Sequence, residues 1–198
     1  MFSPDQSIVL EDSRVLLRPL ESEDLPLLLP FALQEPDTWK YSLSSPAGEA
    51  GMKKYLEQTL LQRKECREYP FIVFDKLTGN YAGSTRFYDI QPHNQSAQLG
   101  YTWYGREYRR TGLNRHCKLL MLTHAFESWE LERVEFRADA RNERSIEAMK
   151  AIGCQVEGIL RSHCAIEGGG RRDSIILSIL RHEWFGEVKQ RLRAMIRD

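Results

Sequence analysis

Between Arg109 and Asn114 the chain reads R-R-T-G-L-N. This run follows a strand-like segment, Gln98 to Tyr104, and opens a strongly apolar helical stretch, Asn114 to Trp129. A strand that turns through a basic, glycine-bearing loop into a helix narrows the choice of folds, because the helix must pack back on the sheet it has left. The same turn makes a place for phosphate. The first backbone N–H groups of a helix lack intrahelical acceptors and carry the positive end of its dipole. A pyrophosphate fits there, with the full charges of Arg109 and Arg110 beside it.

Composition excludes several classes. The chain has 198 residues, 41% of them hydrophobic, enough for one domain with a sizeable core. Lys+Arg and Asp+Glu balance at 28 each, which argues against a general polyanion or nucleic-acid binder. The basic C-terminal helix (Lys189, Arg191, Arg193, Arg197) has no interleaved aromatic surface motif and does not change that. No apolar run approaches the roughly 20 residues needed to span a bilayer. The N-terminus, MFSPDQSIVLEDS, lacks the basic and apolar regions of a signal peptide. Cys66, Cys117, Cys154 and Cys164 have no C-x-x-C or metal-ligand spacing, so reduced thiols in a cytoplasmic protein and no bound metal are expected.

No repeat, low-complexity tract or linker divides the chain. It reads as one domain over 1–198, with a core from about 13 to 184 and a terminal helix over 182–197. Val15 to Leu17 is a short strand. An apolar helix follows from Leu25 to Leu33, with Ser22 as a candidate cap and Pro30 as a kink or break. Pro36 to Pro46 is loop-like, and Ala47 to Arg67 has helical spacing of Met52, Tyr55, Leu56, Leu60 and Leu61. Pro70 to Phe74, Tyr81 to Ile90 and Ser96 to Tyr104 form an antiparallel meander with turn-rich connections.

The long apolar helix comes next; four consecutive apolar residues, Leu119 to Leu122, predict heavy burial. A strand from Arg133 to Ala138 leads to a helix from Glu143 to Ile152, with Asn142 at its N-cap and Gly153 at its stop. A hairpin of Gln155 to Ile166 and Arg172 to Leu180 turns at Gly168-Gly169-Gly170, and a helix starts at His182. Parallel pairing in the centre and antiparallel pairing at the flanks predict an α+β (mixed α/β) fold. Its sheet is mixed, mostly antiparallel and seven-stranded, with flanking helices.

This order, with these residues, resembles the GNAT superfamily of acetyl-CoA-dependent N-acetyltransferases, and within it the branch of ribosomal-protein N-terminal acetyltransferases. R-R-T-G-L-N is similar to the family's pyrophosphate loop. K-L-L-M-L-T-H-A-F-E resembles the branch's following helix, and D-A-R-N-E-R-S with A-I-G-C-Q-V-E-G-I-L-R its N-x-x-S helix and next strand. G-G-R-R-D-S-I-I-L-S-I-L-R-H-E-W resembles the closing strand. The match covers roughly Val15 to Trp184. It departs at Asn114, where most of the superfamily has a small residue, and at Arg115-His116, which make the helix start more basic.

The resemblance implies an enzyme that transfers acetyl from acetyl-CoA to a primary amine, either a protein N-terminus or a small molecule, by direct attack on the thioester. Arg109, Arg110, Thr111, Gly112, Leu113 and Asn114 would cradle the pyrophosphate. Gly100, Tyr101 and Thr102 would pair through their backbone with the pantetheine amides and the thioester oxygen. Asn142 would contact the cofactor arm and Ser145 would donate a proton to the departing thiolate, although helix capping by itself explains both. Trp39, Tyr41 and Tyr88, with Phe87, would border the acceptor. The general base stays open among His163, Cys164, Glu167, Asp89 and Tyr88, with Glu157 read as structural. A CoA-binding protein with little or no catalysis is the alternative. The amphipathic terminal helix and the glycine hairpin are surfaces through which a homodimer could form.

Overall fold

In the computed structural model, which describes residues 3–166 and 169–196, the apolar alternation becomes an eight-stranded sheet of order β1-β2-β3-β4-β5-β6-β8-β7. The strands are β1 (Leu10–Glu11), β2 (Val15–Pro19), β3 (Tyr69–Asp75), β4 (Asn80–Gln91), β5 (Ser96–Tyr104), β6 (Arg133–Asp139), β7 (Gln155–Ala165) and β8 (Arg171–Leu180). All neighbouring pairs are antiparallel except β5 with β6. The meander and the closing hairpin follow the sequence reading. β1 is an additional strand; two residues are too few to show a period-two pattern, and its pairing with Leu16 and Leu17 defines it.

Both faces of the sheet are covered where the site lies. On one side α1 (Leu25–Gln34) and α2 (Gly48–Lys64) enclose a cluster with Leu20, Trp39, Met52, Tyr55, Ile72 and Trp103. On the other, α3 (Leu113–Thr123) and α4 (Glu143–Ala151) join the main core, which reaches the terminal segment of α5 (Arg181–Glu183), a π turn (Trp184–Val188) and α6 (Lys189–Ala194). β3 explains itself in these terms: its apolar run is buried on both faces between β2 and β4. Among the described residues no helix is long and apolar enough to cross a membrane.

Several local expectations are corrected. Ser22 is not a cap: it lies inside a 3-10 turn (Ser22–Asp24), and the Asp24 carboxylate closes that turn by accepting from the Glu21 N–H at 2.9 Å. Pro30 does not break α1, because burial of Leu28 and Ala32 against α2 holds the helix across the missing hydrogen bond. The helix read as Asn114 to Trp129 ends as α3 at Thr123 and widens into a π turn, His124–Ser128, which keeps both Ala125 and Phe126 fully buried. Leu119 and Leu120 are only half-buried, while Cys117, Met121 and Leu122 take the core side. Glu167, Gly168 and Arg197 lie outside the described residues.

Candidate active site

The parallel pairing of β5 with β6 runs only from Ser96↔Arg133 to Gln98↔Glu135. Beyond Gln98, β5 pairs with β4 alone and β6 with β8 alone, so the two strands part into a fork. The β4–β5 register shifts between Arg86↔Gly100 and Ser84↔Trp103, which puts a β-bulge at Tyr101, a non-glycine residue with φ 47°. A bulge bends its strand and increases the local twist, which accounts for β5 leaving its neighbour here. Gly100, Tyr101 and Thr102 thus lie on the free edge of β5. Glycine at 100 has a steric cause, because a Cβ there would come within 3.0 Å of the Tyr88 ring. Tyr88 and Tyr101 meet edge to face, their centroids 4.9 Å apart.

β5 leads through a 3-10 turn (Arg106–Tyr108) into the basic loop and α3. Gly112, with φ 91°, is the N-cap and offers no side chain of its own; the Thr111 hydroxyl accepts from the Leu113 N–H at 3.4 Å. A Cβ at Gly112 would meet nothing within 4 Å, so space is open beside the backbone at this cap. Arg110, also left-handed at φ 65°, is exposed at this entrance. Thr111 folds inward and donates to the Tyr108 carbonyl at 2.8 Å.

Arg109 is differently employed from the sequence reading. It donates to the Tyr104 carbonyl at 3.0 Å and to Thr38 Oγ1 at 2.7 Å, and pairs with Glu35 at 3.7 Å, tying the loop to the segment after α1. The unexpected Asn114 is explained by its partner. Its Oδ1 accepts from the Tyr104 hydroxyl at 3.2 Å, so the side chain is drawn to β5.

On the far arm of the fork, Asn142 caps α4 by accepting from the Ser145 N–H at 3.2 Å. The Ser145 hydroxyl makes no hydrogen bond among the described residues and is half-buried. A cleft of about 400 Å³ opens beside this arm, lined by Trp39, Tyr41, Asp139 and Arg141 among others. Tyr88 does not line that cleft; its ring lies over Gly100. Phe87 belongs to the core, fully buried.

The candidate bases separate on geometry. Glu157 accepts from Arg133 and Ser178 at 2.6 Å each, a structural role. Asp89 accepts from Gln98 at 2.7 Å and Gln91 at 3.0 Å. Burial raises the Tyr88 hydroxyl above its ordinary pKa, which suits a donor rather than a base. His163 lies 3.0 Å from Ser174 Oγ and 3.2 Å from Cys164 Sγ. Burial and the guanidinium groups of Arg137, Arg172 and Arg171 lower its pKa, so the imidazole is held neutral. Among the described residues no group of three or more His, Cys, Asp or Glu side chains is placed to hold a metal.

The sequence reading missed Arg86, Glu68, Lys118 and Arg172. Arg86 is buried on β4, hydrogen-bonded to Thr59 Oγ1 at 2.8 Å and ion-paired with Glu68. Alternation with Ser84 and Tyr88 was the available signal for its face. Lys118 stands four residues after Asn114, hence on the same face of α3.

The residues fit an acyl-CoA. The free edge of β5 can pair with a pantetheine arm, the open helix start can take a diphosphate, and buried polar atoms near the fork (Gln98 Oε1, Trp103 Nε1, Trp39 Nε1) lack hydrogen-bond partners. Residues 14–155 match the family model of the acetyltransferase (GNAT) domain.

The chain belongs to the GNAT acetyltransferase family.

It is accordingly an acyltransferase, and the fork and loop occupy the part of the GNAT domain covered by the match. Over 174 residues, 87% of this chain and 96% of the relative, it is 26% identical to the uncharacterized N-acetyltransferase p20 of Bacillus licheniformis. Over 109 residues, 55% of this chain and 58% of the relative, it is 31% identical to YdaF of Bacillus subtilis (strain 168), classed as a ribosomal N-acetyltransferase. A GCN5-related N-acetyltransferase from Brucella melitensis superposes with a TM-score of 0.87 at 24% identity, covering 96% of this chain and 86% of that one. RimL, a ribosomal L7/L12 α-N-protein acetyltransferase solved with coenzyme A, superposes with a TM-score of 0.76 at 17% identity, covering 89% of this GNAT chain and 100% of that one.

Proposed function

We propose that this GNAT protein transfers the acetyl group of acetyl-CoA to a primary amine by direct attack of the amine on the thioester. The observation that carries this reading is the fork: a free β5 edge that leads to a helix start at Gly112, where the N-cap residue has no side chain. The edge aligns the acyl arm, and the helix start with Arg110 takes the diphosphate. Attack requires a neutral amine, donors to the developing oxyanion and a proton for the thiolate. Backbone N–H groups around Gly100 and Tyr101 supply donors that depend on no side chain. The free hydroxyl of Ser145 is the donor to the thiolate, by itself or through water. His163, kept neutral on the sheet face beside Arg137 and Arg172, is our choice of proton acceptor.

The acceptor class is an amine presented from the Trp39–Tyr41 cleft, and the α-amino group of a protein is favoured by the name of YdaF. The free thiols of Cys66, Cys117, Cys154 and Cys164 support a reducing, cytoplasmic setting. The test is thiol release from acetyl-CoA against a panel of free-N-terminal peptides and small amines. Release that depends on one acceptor class is expected. Tight acetyl-CoA binding with no release for any amine would replace this reading with a CoA-binding protein that does not catalyse.

A further inference from the structure

Lys118 is 5% exposed, on the face of α3 that looks into the fork. Its Nζ donates to Thr102 Oγ1 at 3.0 Å and stands 5.8 Å from the Phe136 ring. Those two residues lie on opposite arms: Thr102 beyond the last paired residue of β5, Phe136 one residue past the last paired residue of β6. The amine is therefore at the floor of the opening. An ammonium has three N–H donors, and among the described residues one acceptor is spoken for. That acceptor is itself shared, because Thr102 Oγ1 is 2.7 Å from Thr85 Oγ1. The ionisable groups that act on Lys118 are thiols, Cys117 on α3 and Cys154 from the turn after α4, both pushed up to about 12 by burial and so uncharged. Among the described residues no carboxylate compensates it. Burial pushes its own pKa down to about 8.

A buried amine without a counter-charge is costly unless something accepts from it. We propose that Lys118 is a substrate-binding residue whose spare N–H groups donate to a carbonyl oxygen of the pantetheine–thioester arm lying in the fork. The assignment rests on the acyl-CoA reading above. It gives the enzyme a cationic donor in the gap, and it gives a reason for a lysine where Leu or Met would pack. The partner is the acyl arm and not the nucleotide, since Lys118 lies more than a turn inside α3 from the Gly112 cap.

Calorimetric titration of the full chain with acetyl-CoA, and separately with adenosine bisphosphate (the nucleotide end without the pantetheine arm), tests it. In Lys118→Met the Kd for acetyl-CoA should rise about tenfold or more, the worth of a hydrogen bond from a charged donor, while the bisphosphate Kd stays unchanged. Lys118→Gln, whose amide can still donate, should fall between. In the wild type at pH 8, titration in buffers of different ionisation enthalpy should reveal more proton uptake with acetyl-CoA than with the bisphosphate. Loss of affinity for both ligands alike, no loss for either, or equal proton uptake would overturn the role of Lys118. A wild type that binds neither ligand removes the acyl-CoA reading itself, and this inference with it.

Discussion

The guanidinium carbon of Arg86 lies 3.8 Å from the centroid of the Tyr101 ring and 5.1 Å from that of Tyr55. Tyr101 is the bulge residue, held in a left-handed conformation that costs on the order of 1 kcal/mol for a bulky side chain. Stacking on a cation that is itself anchored to Glu68 and Thr59 keeps the ring, and with it the bend of β5, in place.

Removing that cation leaves a carboxylate stranded. Burial already raises the pKa of Glu68, with Arg86 opposing the shift. Arg86→Met should destabilise the fold by about 3 kcal/mol in urea unfolding, because one partner of a buried pair is left alone. Adding Glu68→Gln should restore part of the loss. Strictly additive losses in the double variant would mean that the pair is not coupled in this way.

Gly112 allows two separable substitutions. Gly112→Ala has free space but a strained φ of 91°, so it should cost about 1 kcal/mol in stability and leave the acetyl-CoA Kd nearly unchanged. Gly112→Asp adds a negative charge where phosphate must approach and should raise that Kd by about tenfold or more. Equal affinities for the two variants would mean that the diphosphate does not sit at this turn.

The acidic limb of activity reports His163. Its pKa is lowered by burial and by Arg137, Arg172 and Arg171, so the neutral, proton-accepting form survives below the usual range. With rates referred to the neutral amine, kcat/KM should fall only as pH drops below about 6.5. His163→Gln should reduce the plateau roughly a hundredfold and flatten this limb. An unchanged profile in the variant would assign the base elsewhere.

Acid stability should be dominated by a different histidine. His124, in the π turn against Trp129 at 5.0 Å between ring centroids, has its pKa pushed down to about 4 by burial. Its unfolded pKa is about 6.5, so between these values the unfolded chain binds the extra proton. Stability should be full above pH 6.5, decline as pH falls towards 4, and lose nothing further from this group below that. His124→Phe should reduce the dependence, and unfolding midpoints measured across this interval check it.

The element order was legible because period-two and period-3.6 patterns, glycine turns and the Asn142 cap are local signals. What escaped the sequence depended on partners distant in the chain. Arg109 reads as a phosphate cation, but its acceptors are Thr38 and the carbonyl of Tyr104. Lys118 and Arg86 went unnoticed because their burial appears only once helix and strand faces are assembled around them. The two-residue β1 exists only by pairing with β2. Asn114 looked like a defect in the loop, and Tyr104 accounts for it. Our choice of His163 among several candidate bases rests on the surrounding arginines, which come from other strands, β6 and β8.

Within the plane of the sheet, among the described residues, β1–β5 and β6–β8–β7 are joined by the rungs from Ser96 to Gln98 and by the adjoining Gln95 carbonyl, which accepts from the Glu132 and Arg133 N–H groups. A ligand that lies along the free β5 edge acts as an extra strand, so the energy that seats it also knits two leaves of one sheet. Heat resistance of this protein should therefore climb with the concentration of whatever fills the gap, as mass action requires.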